Sequence, residues 1–285
     1  MISCIICSRK SALPEELKEN IASTIGCEYE VIIIDNSNCQ YTIFSAYNEG
    51  VRRAKGDIVC FMHEDIIIHT QEWGKRLVSI FKDSKIGLVG VIGSQFLPNT
   101  NASWWNCGAQ VGEILQGNQD AYGNYSVWYN NSNAVNSPID CVVVDGCFMA
   151  LRKSLFDYIH FDEDTFSSFH AYDLDICMQV LGLDLRVVVI DKLLIEHKSS
   201  GVVGADYITQ RDIFYKKWGR LLPITKGINI PEESMGIIVN LIELVEHKST
   251  ELQNRENSKR YVIASTIANF INHPILYTIN LFKHG

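Results

Sequence analysis

The chain has 285 residues, 47% of them hydrophobic and 20% charged, enough to bury a sizeable core as one large domain with an appendage or as two modest domains. Its formal net charge of -8 excludes a general nucleic-acid binder, which needs clustered Lys and Arg. The nine cysteines are odd in number and sit mostly in apolar runs (Cys4, Cys7, Cys60, Cys141, Cys147, Cys177), which speaks for reduced thiols in a reducing compartment and against a disulfide framework.

The chain opens in a strand-like run, Ile2–Cys7, with no basic segment of a secretory signal before it. Cys4 and Cys7 form a C-x-x-C, but no second pair stands nearby and Ile5 and Ile6 lie between, so a core strand is expected there. A polar, helix-compatible stretch follows at Pro14–Ala22. Tyr29–Asp35 is a continuous apolar run ending in an acid, the pattern of a strand buried on both faces of a parallel sheet. Ile43–Ala54 suits a helix, and Asp57–Met62 is a third strand that ends in His63-Glu64-Asp65. A helix around Gln71–Asp83 leads to another buried strand, Ile86–Ile92. This alternation predicts a doubly wound α/β sheet, whose ligands sit at the carboxyl ends of the strands, where Asp35, Glu64 and Asp65 fall.

From Pro98 to Pro138 the texture changes to Asn, Gly and Ser interleaved with Trp104, Trp105, Tyr122, Tyr125, Trp128 and Tyr129. A connection this long is usually functional or disordered, and the aromatics argue against disorder. Asn-x-Ser matches at Asn101, Asn124 and Asn130 are read as composition, not glycosylation. Regular structure is expected again at Cys141–Asp145, over Gly146–Phe156, in a helix opening near Ala171, in the strand Leu185–Ile190, and at a strand Leu193–Ile195 followed by His197. Pro231-Glu-Glu opens a further helix, reaching His247, with Ile237, Ile238, Leu241, Ile242, Leu244 and Val245 crowding one side. A charged stretch, Glu251–Arg260, precedes the apolar segment Tyr261–Phe282. That segment has the length of a bilayer span, but Asn269, Asn272, His273, Asn280 and Pro274 within it argue against one. Two or three C-terminal helices are expected instead, docked on the rest of the chain, on a partner subunit or on a membrane surface, with packing against protein favoured.

Several of these segments together carry a family resemblance. The order strand, Asp35-Asn36-Ser37, Asn48-x-Gly50, Ala54-Lys55-Gly56-Asp57, strand, His63-Glu64-Asp65 resembles the nucleotide-binding half of family-2 glycosyltransferases with the GT-A fold. Asp145-Gly-Cys-Phe-Met-Ala-Leu-Arg152, Phe161-Asp-Glu163, Tyr172-Asp-Leu-Asp175, Glu196-His197 and Lys217-Trp218 are similar to its later landmarks. The resemblance implies a GT-A catalytic domain over 1–220, with a nucleotide-binding half 1–97 and an acceptor half 98–220, and a helical extension over 221–285. It implies a nucleotide-diphospho-sugar donor, UDP-sugar favoured, a saccharide or lipid-linked acceptor, and Mn²⁺ or Mg²⁺. The expected location is cytoplasmic, with a peripheral place at the inner face of the membrane or a homo-oligomer as further options for the C-terminal helices.

Each candidate residue has a chemical reason and a plainer alternative. Asp35, at a strand end, suits a hydrogen bond from a pyrimidine N–H, and is otherwise a solvated turn acid. Ser8, Arg9, Asn48 and Glu64 complete the nucleotide-side set. Asp65 is the metal-ligand candidate, an oxygen donor facing a pyrophosphate. His63 stands where the family usually has the first acid of Asp-x-Asp; it meets donor or metal, or is a capped surface histidine, and an imidazole here tilts the choice toward manganese. The resemblance gives His197 the place of a metal-completing histidine, with Gly201 and Gly204 freeing a lid after it. Asp173 is expected as the catalytic base, ionised by the helix N-terminus on which it sits, or else a capping acid. Asp175 matches the structural partner, and Tyr172 replaces the usual preceding Glu.

One base without a second nucleophilic carboxylate implies inversion. The aromatic stretch 104–129 would supply sugar-stacking faces or fold back as a satellite core. Absence of Gln-x-x-Arg-Trp points to transfer of a single sugar. A nucleotidyltransferase would need glycines around Cys7–Ser11, and a glycosidase would need a carboxylate pair across the sugar. A catalytically inactive nucleotide-sugar or sugar binding module of the same fold is the alternative, and His63 and Tyr172 are the residues it rests on.

Overall fold

The computed structural model describes residues 1–117, 126–129, 138–190, 192–199 and 204–253, with backbone alone for 126–129 and 248–253. Tyr122, Tyr125, Asn124, Asn130, Gly201 and the segment 261–282 lie outside the described residues, as do the side chains of Trp128 and Tyr129.

The N-terminal third alternates strand and helix as the apolar runs dictate: β1 (Ile2–Ser8), α1 (Glu15–Thr24), β2 (Tyr29–Asp35), α2 (Ile43–Arg53), β3 (Ile58–Met62), β4 (Ile66–Ile68), α3 (Trp73–Ile80) and β5 (Ile86–Gly90). A capping box starts α2, with Thr42 Oγ1 accepting from Ser45 N–H and Ser45 Oγ from Thr42 N–H. Gly50 lets that helix press on β1, since a Cβ there would lie 2.2 Å from Ile5 Cγ2. The middle of the chain holds β6 (Ile92–Ser94), β7 (Phe96–Leu97), β8 (Gln110–Gln116), β9 (Ser126–Tyr129), β10 (Ile139–Cys141), β11 (Val143–Val144) and β12 (Phe148–Arg152). Then come α4 (Tyr172–Gly182), β13 (Arg186–Val189), β14 (Ile195–His197), α5 (Ala205–Trp218), β15 (Ile224–Thr225) and α6 (Glu232–Gln253).

Seven strands form the main sheet in the order β10-β13-β5-β12-β3-β1-β2. The trio β3, β1 and β2 is parallel, in a register that sets Ser8 beside Asp35. Strand β12 runs antiparallel between β3 and β5, so the expected halves 1–97 and 98–220 share one sheet. A second sheet, β11-β6-β8-β14-β4 with β9 on β8, covers the carboxyl edge. An aromatic cluster fills the space between α2 and α4. Phe44 and Phe166 stack flat at 5.2 Å, Tyr47 meets Phe61 at 4.7 Å, and Tyr172 closes on Tyr47 at 5.6 Å.

Three expectations need correction. The stretch after Pro98 is not one irregular connection: it contains β8, whose pairing with β6, β9 and β14 makes it the spine of the second sheet. His197 does not follow a strand Leu193–Ile195 but is itself the last residue of β14, held opposite Ile66 of β4. Trp104 is buried in the core and Trp105 half-buried against it, so these two rings take the satellite-core alternative.

Helix α6 docks on the rest of the chain. Ile238 and Ile242 are buried, and Thr100 Oγ1 donates to Glu243 at 2.8 Å. Glu246 accepts from Ser103 N–H (3.1 Å), Ser103 Oγ (3.0 Å) and Asn106 Nδ2 (2.7 Å), and is paired with Arg211 of α5. Among the described residues no helix is long and apolar enough to cross a membrane.

Candidate active site

The site is built where β3 and β14 end. The His63 N–H donates to Cys147 O at 3.0 Å, which carries the β3–β12 pairing into the His63-Glu64-Asp65 turn. Strand β4 leaves that turn and pairs with β14, which brings His197 back beside Asp65; the Lys198 N–H closes the join on Asp65 O at 3.0 Å. His63 Nδ1 lies 3.1 Å from His197 Nε2 and 4.0 Å from Asp65 Oδ1, and His197 Nε2 lies 3.5 Å from Asp65 Oδ1. These three residues form a group that can hold a metal ion. Neighbouring ligands in an octahedral shell with bonds of about 2.1 Å stand about 3 Å apart, so the observed triangle closes on an ion with small side-chain movements. Two imidazoles and one carboxylate suit a first-row divalent cation better than Mg²⁺, which prefers oxygen ligands throughout.

Electrostatics prepare His63 and Asp65 as ligands, while His197 must give up a proton before it can bind an ion. Burial, then the adjacent His197, push the His63 ring down to about 4, so it is neutral with a lone pair to give. Burial also disfavours charge on His197, but its hydrogen bond with Asp65 and the charges of Asp145 and Asp65 outweigh it, and its value is raised. Burial works against ionised Asp65 as well, and is overcome by the His197 hydrogen bond and the charges of His197 and His63; the carboxyl is held well below the usual range.

Tyr172 supplies the outer support. Its hydroxyl lies 2.7 Å from His63 Nε2. For Nδ1 to offer its lone pair to an ion, Nε2 must carry the proton and donate to that hydroxyl, which fixes tautomer and ring together. Gly146 makes the arrangement possible, because a Cβ there would lie 2.2 Å from the Tyr172 hydroxyl. On the other side, His197 Nδ1 lies 3.2 Å from the Gln116 amide and His197 Nε2 lies 3.0 Å from Ser199 Oγ.

Asp173 follows Tyr172 in the first turn of α4. One carboxylate oxygen accepts from Gly146 N–H at 3.2 Å and the other from Leu174 N–H at 2.9 Å. Burial, then the charge of Asp145, push its pKa up to about 7 against the backbone hydrogen bonds of the helix start, which favour the ionised form as expected. That value suits a base at neutral pH better than a fully ionised acid would. Asp175 is 1% exposed and tied to Trp218 Nε1, Lys217 Nζ and Gln179 Nε2, each at 2.7 Å, so it anchors α4 to α5.

The nucleotide-side candidates split. Ser8 Oγ donates to Glu64 Oε2 at 2.5 Å, and Arg9 N–H donates to Glu64 Oε1 at 3.3 Å with the guanidinium 3.6 Å away, so these three form one cluster at the ends of β1 and β3. Asp35 is exposed beside Ser8, its Oδ1 accepting from Ser37 N–H at 2.9 Å; hydrogen bonding to Ser37 lowers its pKa. Asn48 is placed elsewhere in function. Its amide exchanges hydrogen bonds with Phe161 N–H (3.1 Å) and Phe161 O (2.8 Å) and donates to Glu163 (3.0 Å), a clasp between α2 and the 161–163 turn. Of the residues now seen at the site, Asp145, Gly146, Gln116 and Ser199 carried no assigned role in the sequence. The Asp145-Gly146 step after an apolar run was the available signal for the first two.

The sequence model of a family described as "Glycosyltransferase like family" matches residues 2–218. A relative from Fuscovulum blasticum, "ATP synthase subunits region ORF 6", is 26% identical over 208 residues, covering 70% of this chain and 76% of its own length. Among solved structures, S. aureus TarS 1-349 is similar with a TM-score of 0.50 and 14% identity, over 96% of this chain and 81% of that one. GalNAc-T7 with UDP, GalNAc and Mn2+ is similar with a TM-score of 0.50 and 11% identity, over 96% of this chain and 58% of that one. At these identities the likeness is one of fold, and that fold is GT-A.

Proposed function

We propose that this chain, which belongs to the glycosyltransferase-like family, moves one sugar with inversion from a nucleotide-diphosphate sugar to a saccharide or lipid-linked acceptor. The observation that carries this reading is the convergence of His63, Asp65 and His197 next to Tyr172 and Asp173. His63, Asp65 and His197 hold a divalent cation, Mn²⁺ favoured. The cation supplies charge compensation on the pyrophosphate leaving group. Ser8, Arg9 and Glu64 line the donor side with Asp35, and a UDP-sugar is the favoured donor, in keeping with the UDP and Mn2+ of the GalNAc-T7 structure.

Asp173 takes the proton from the acceptor hydroxyl. The freed oxygen forms the new bond to the anomeric carbon, while the bond from that carbon to the phosphate oxygen breaks and its electron pair leaves with the nucleoside diphosphate. A single base is enough for such a displacement, and the configuration inverts. The two departures that favour an inactive module, His63 and Tyr172, are hydrogen-bonded to each other, which supports an adapted metal site over a decayed one.

Incubating the pure full chain with UDP- and GDP-sugars and Mn²⁺, and following nucleotide release, tests the proposal. Mn²⁺-dependent consumption of at least one donor is expected. Donor binding without turnover, in the presence of a broad acceptor panel, would return the chain to the binding-module alternative.

A further inference from the structure

Phe169 is an aromatic ring that the fold holds in place without covering. It is 49% exposed, yet its ring centroid lies 5.4 Å from His63 and 5.9 Å from Tyr172. Of the two exposed aromatic rings among the described residues, Tyr158 and Phe169, only Phe169 meets a candidate metal ligand. Its segment is fixed on both sides. Phe166 is stacked on Phe44 in the core, and the Ser167 N–H donates to Gln210 Oε1 at 3.4 Å. Ala171 then turns the chain into α4 with φ of 68°, a left-handed conformation that a non-glycine residue seldom adopts outside a constrained site. Next to Phe169, His170 packs edge-on at 6.0 Å, and beyond it Tyr207 at 5.3 Å and Trp105 at a further 5.3 Å continue the row.

We infer that the exposed face of Phe169, extended by His170, is the platform on which the acceptor sugar lies, and that the acceptor is a pyranose presenting an apolar C–H face. The inference rests on the transferase reading above. An aromatic face offers contact area and π-density to such a sugar at little entropic cost, because the ring is already immobilised by His63 and Tyr172. Phe169 packs on Tyr172, the residue before Asp173 in the first turn of α4, which puts a sugar lying on this ring on the approach to the base. The platform is separate from the buried rings Trp104 and Phe166, which leave no face free. It also meets a requirement of the chemistry: the acceptor must be oriented before its hydroxyl is activated, and orientation is what a flat rigid face provides.

The test uses the full chain saturated with UDP and Mn²⁺. Binding of methyl β-glucopyranoside, methyl β-galactopyranoside and methyl N-acetyl-β-glucosaminide is read by saturation-transfer NMR, and UDP–Mn²⁺ binding is read separately by calorimetry. At least one glycoside should bind, with the strongest transfer to protons of a single C–H face. Phe169→Ala should weaken that glycoside by about 3- to 10-fold and Phe169→Trp should retain it; because the ring touches His63, UDP–Mn²⁺ affinity is measured for each variant, and a loss there as large as the loss of glycoside would overturn the platform. If UDP and Mn²⁺ bind normally but none of the glycosides binds, or Phe169→Ala binds as well as the unaltered chain, the platform is wrong while the transferase reading stands. If neither UDP nor GDP binds the unaltered chain with Mn²⁺, the transferase reading itself fails and the platform with it.

Discussion

The His63 ring and the Tyr172 hydroxyl, 109 residues apart in the chain, meet in a 2.7 Å hydrogen bond. Both stand where the family usually has an acid, so each departure supplies the partner that the other needs. Tyr172→Phe removes the acceptor that fixes His63 with its Nδ1 toward Asp65 and His197. Loss of an outer-shell partner typically costs about 10- to 100-fold in metal affinity. Calorimetric titration of Mn²⁺ in the presence of UDP should show a loss in that range, and an unchanged affinity would remove Tyr172 from the metal site.

Gly146→Ala tests the same device from the opposite side. The added methyl would sit 2.2 Å from the Tyr172 hydroxyl and displace it. The variant is expected to lose Mn²⁺ affinity as Tyr172→Phe does, and the double variant to lose little more than either alone, because both act on one contact. Additive losses would mean that Gly146 acts by another route.

Asp65→Ala should abolish metal-stimulated UDP binding and leave the far-ultraviolet circular dichroism intact. Asp65 contributes the carboxylate of the triad and its side chain is partly exposed, so the fold does not depend on it. Undiminished Mn²⁺ dependence in calorimetry would show that Asp65 is not a ligand.

On the proposed mechanism, Asp173→Asn should lower turnover by roughly 10²–10⁴-fold and spare donor affinity, because a base for the acceptor hydroxyl need not touch the donor. In the unaltered chain, turnover should rise as pH passes through about 7, where Asp173 loses its proton, and level off above. Stability moves the other way. The folded state keeps this proton where the unfolded chain has released it, so stability falls as pH rises from about 4 toward 7. Asp173→Asn removes that titration, so the fall in melting temperature between pH 4 and 8 should be smaller for the variant than for the unaltered chain. An equal fall in both would contradict the assigned shift.

Glu246→Ala should destabilise the chain by about 3 kcal/mol, the cost of leaving a largely buried partner charge, here Arg211, uncompensated. The Ser103 and Asn106 hydrogen bonds to α6 are lost with it. Chemical denaturation measures the effect, and a loss below about 1 kcal/mol, typical of an exposed pair, would mean that α6 is dispensable to the domain.

The sequence reveals the parts of this molecule whose burial is uniform. Strands β1 and β3 are apolar and buried on both faces, so their residues announce them without any partner being known, whereas β2, expected from its apolar run to be buried on both faces, is an edge strand with only Ile32 and Ile34 buried. Strand β8 was hidden because Val111, Ile114 and Leu115 in Gln110–Gln116 do not keep a two-residue period, and only the pairings on either side make it a strand. Helix α5 was equally quiet: Ala205–Trp218 mixes charge and aromatic residues without a clean apolar stripe. Asp65, His197 and Asp173 were legible as strand-end and helix-start residues. The bond between His63 and Tyr172 was not, because it depends on how β3 and α4 pack around Gly146. Asn48 misled because its motif says where it lies in the chain and not that its amide is already engaged by Phe161.

The antiparallel strand β12 has a bearing on how the chain comes to be folded at all. It joins β3 to β5, yet in synthesis it begins at Phe148, well after β5 has ended at Gly90, and until Arg152 has emerged both strands present open hydrogen-bonding edges. Unpaired edges of this kind recruit other chains, and a contact of such long range forms slowly. A polypeptide ending near residue 97 would therefore be a nascent sheet split down its middle and prone to aggregate. Attempts to shrink this chain to its first ninety-odd residues should keep it at least through β12, or supply that strand in trans as a peptide.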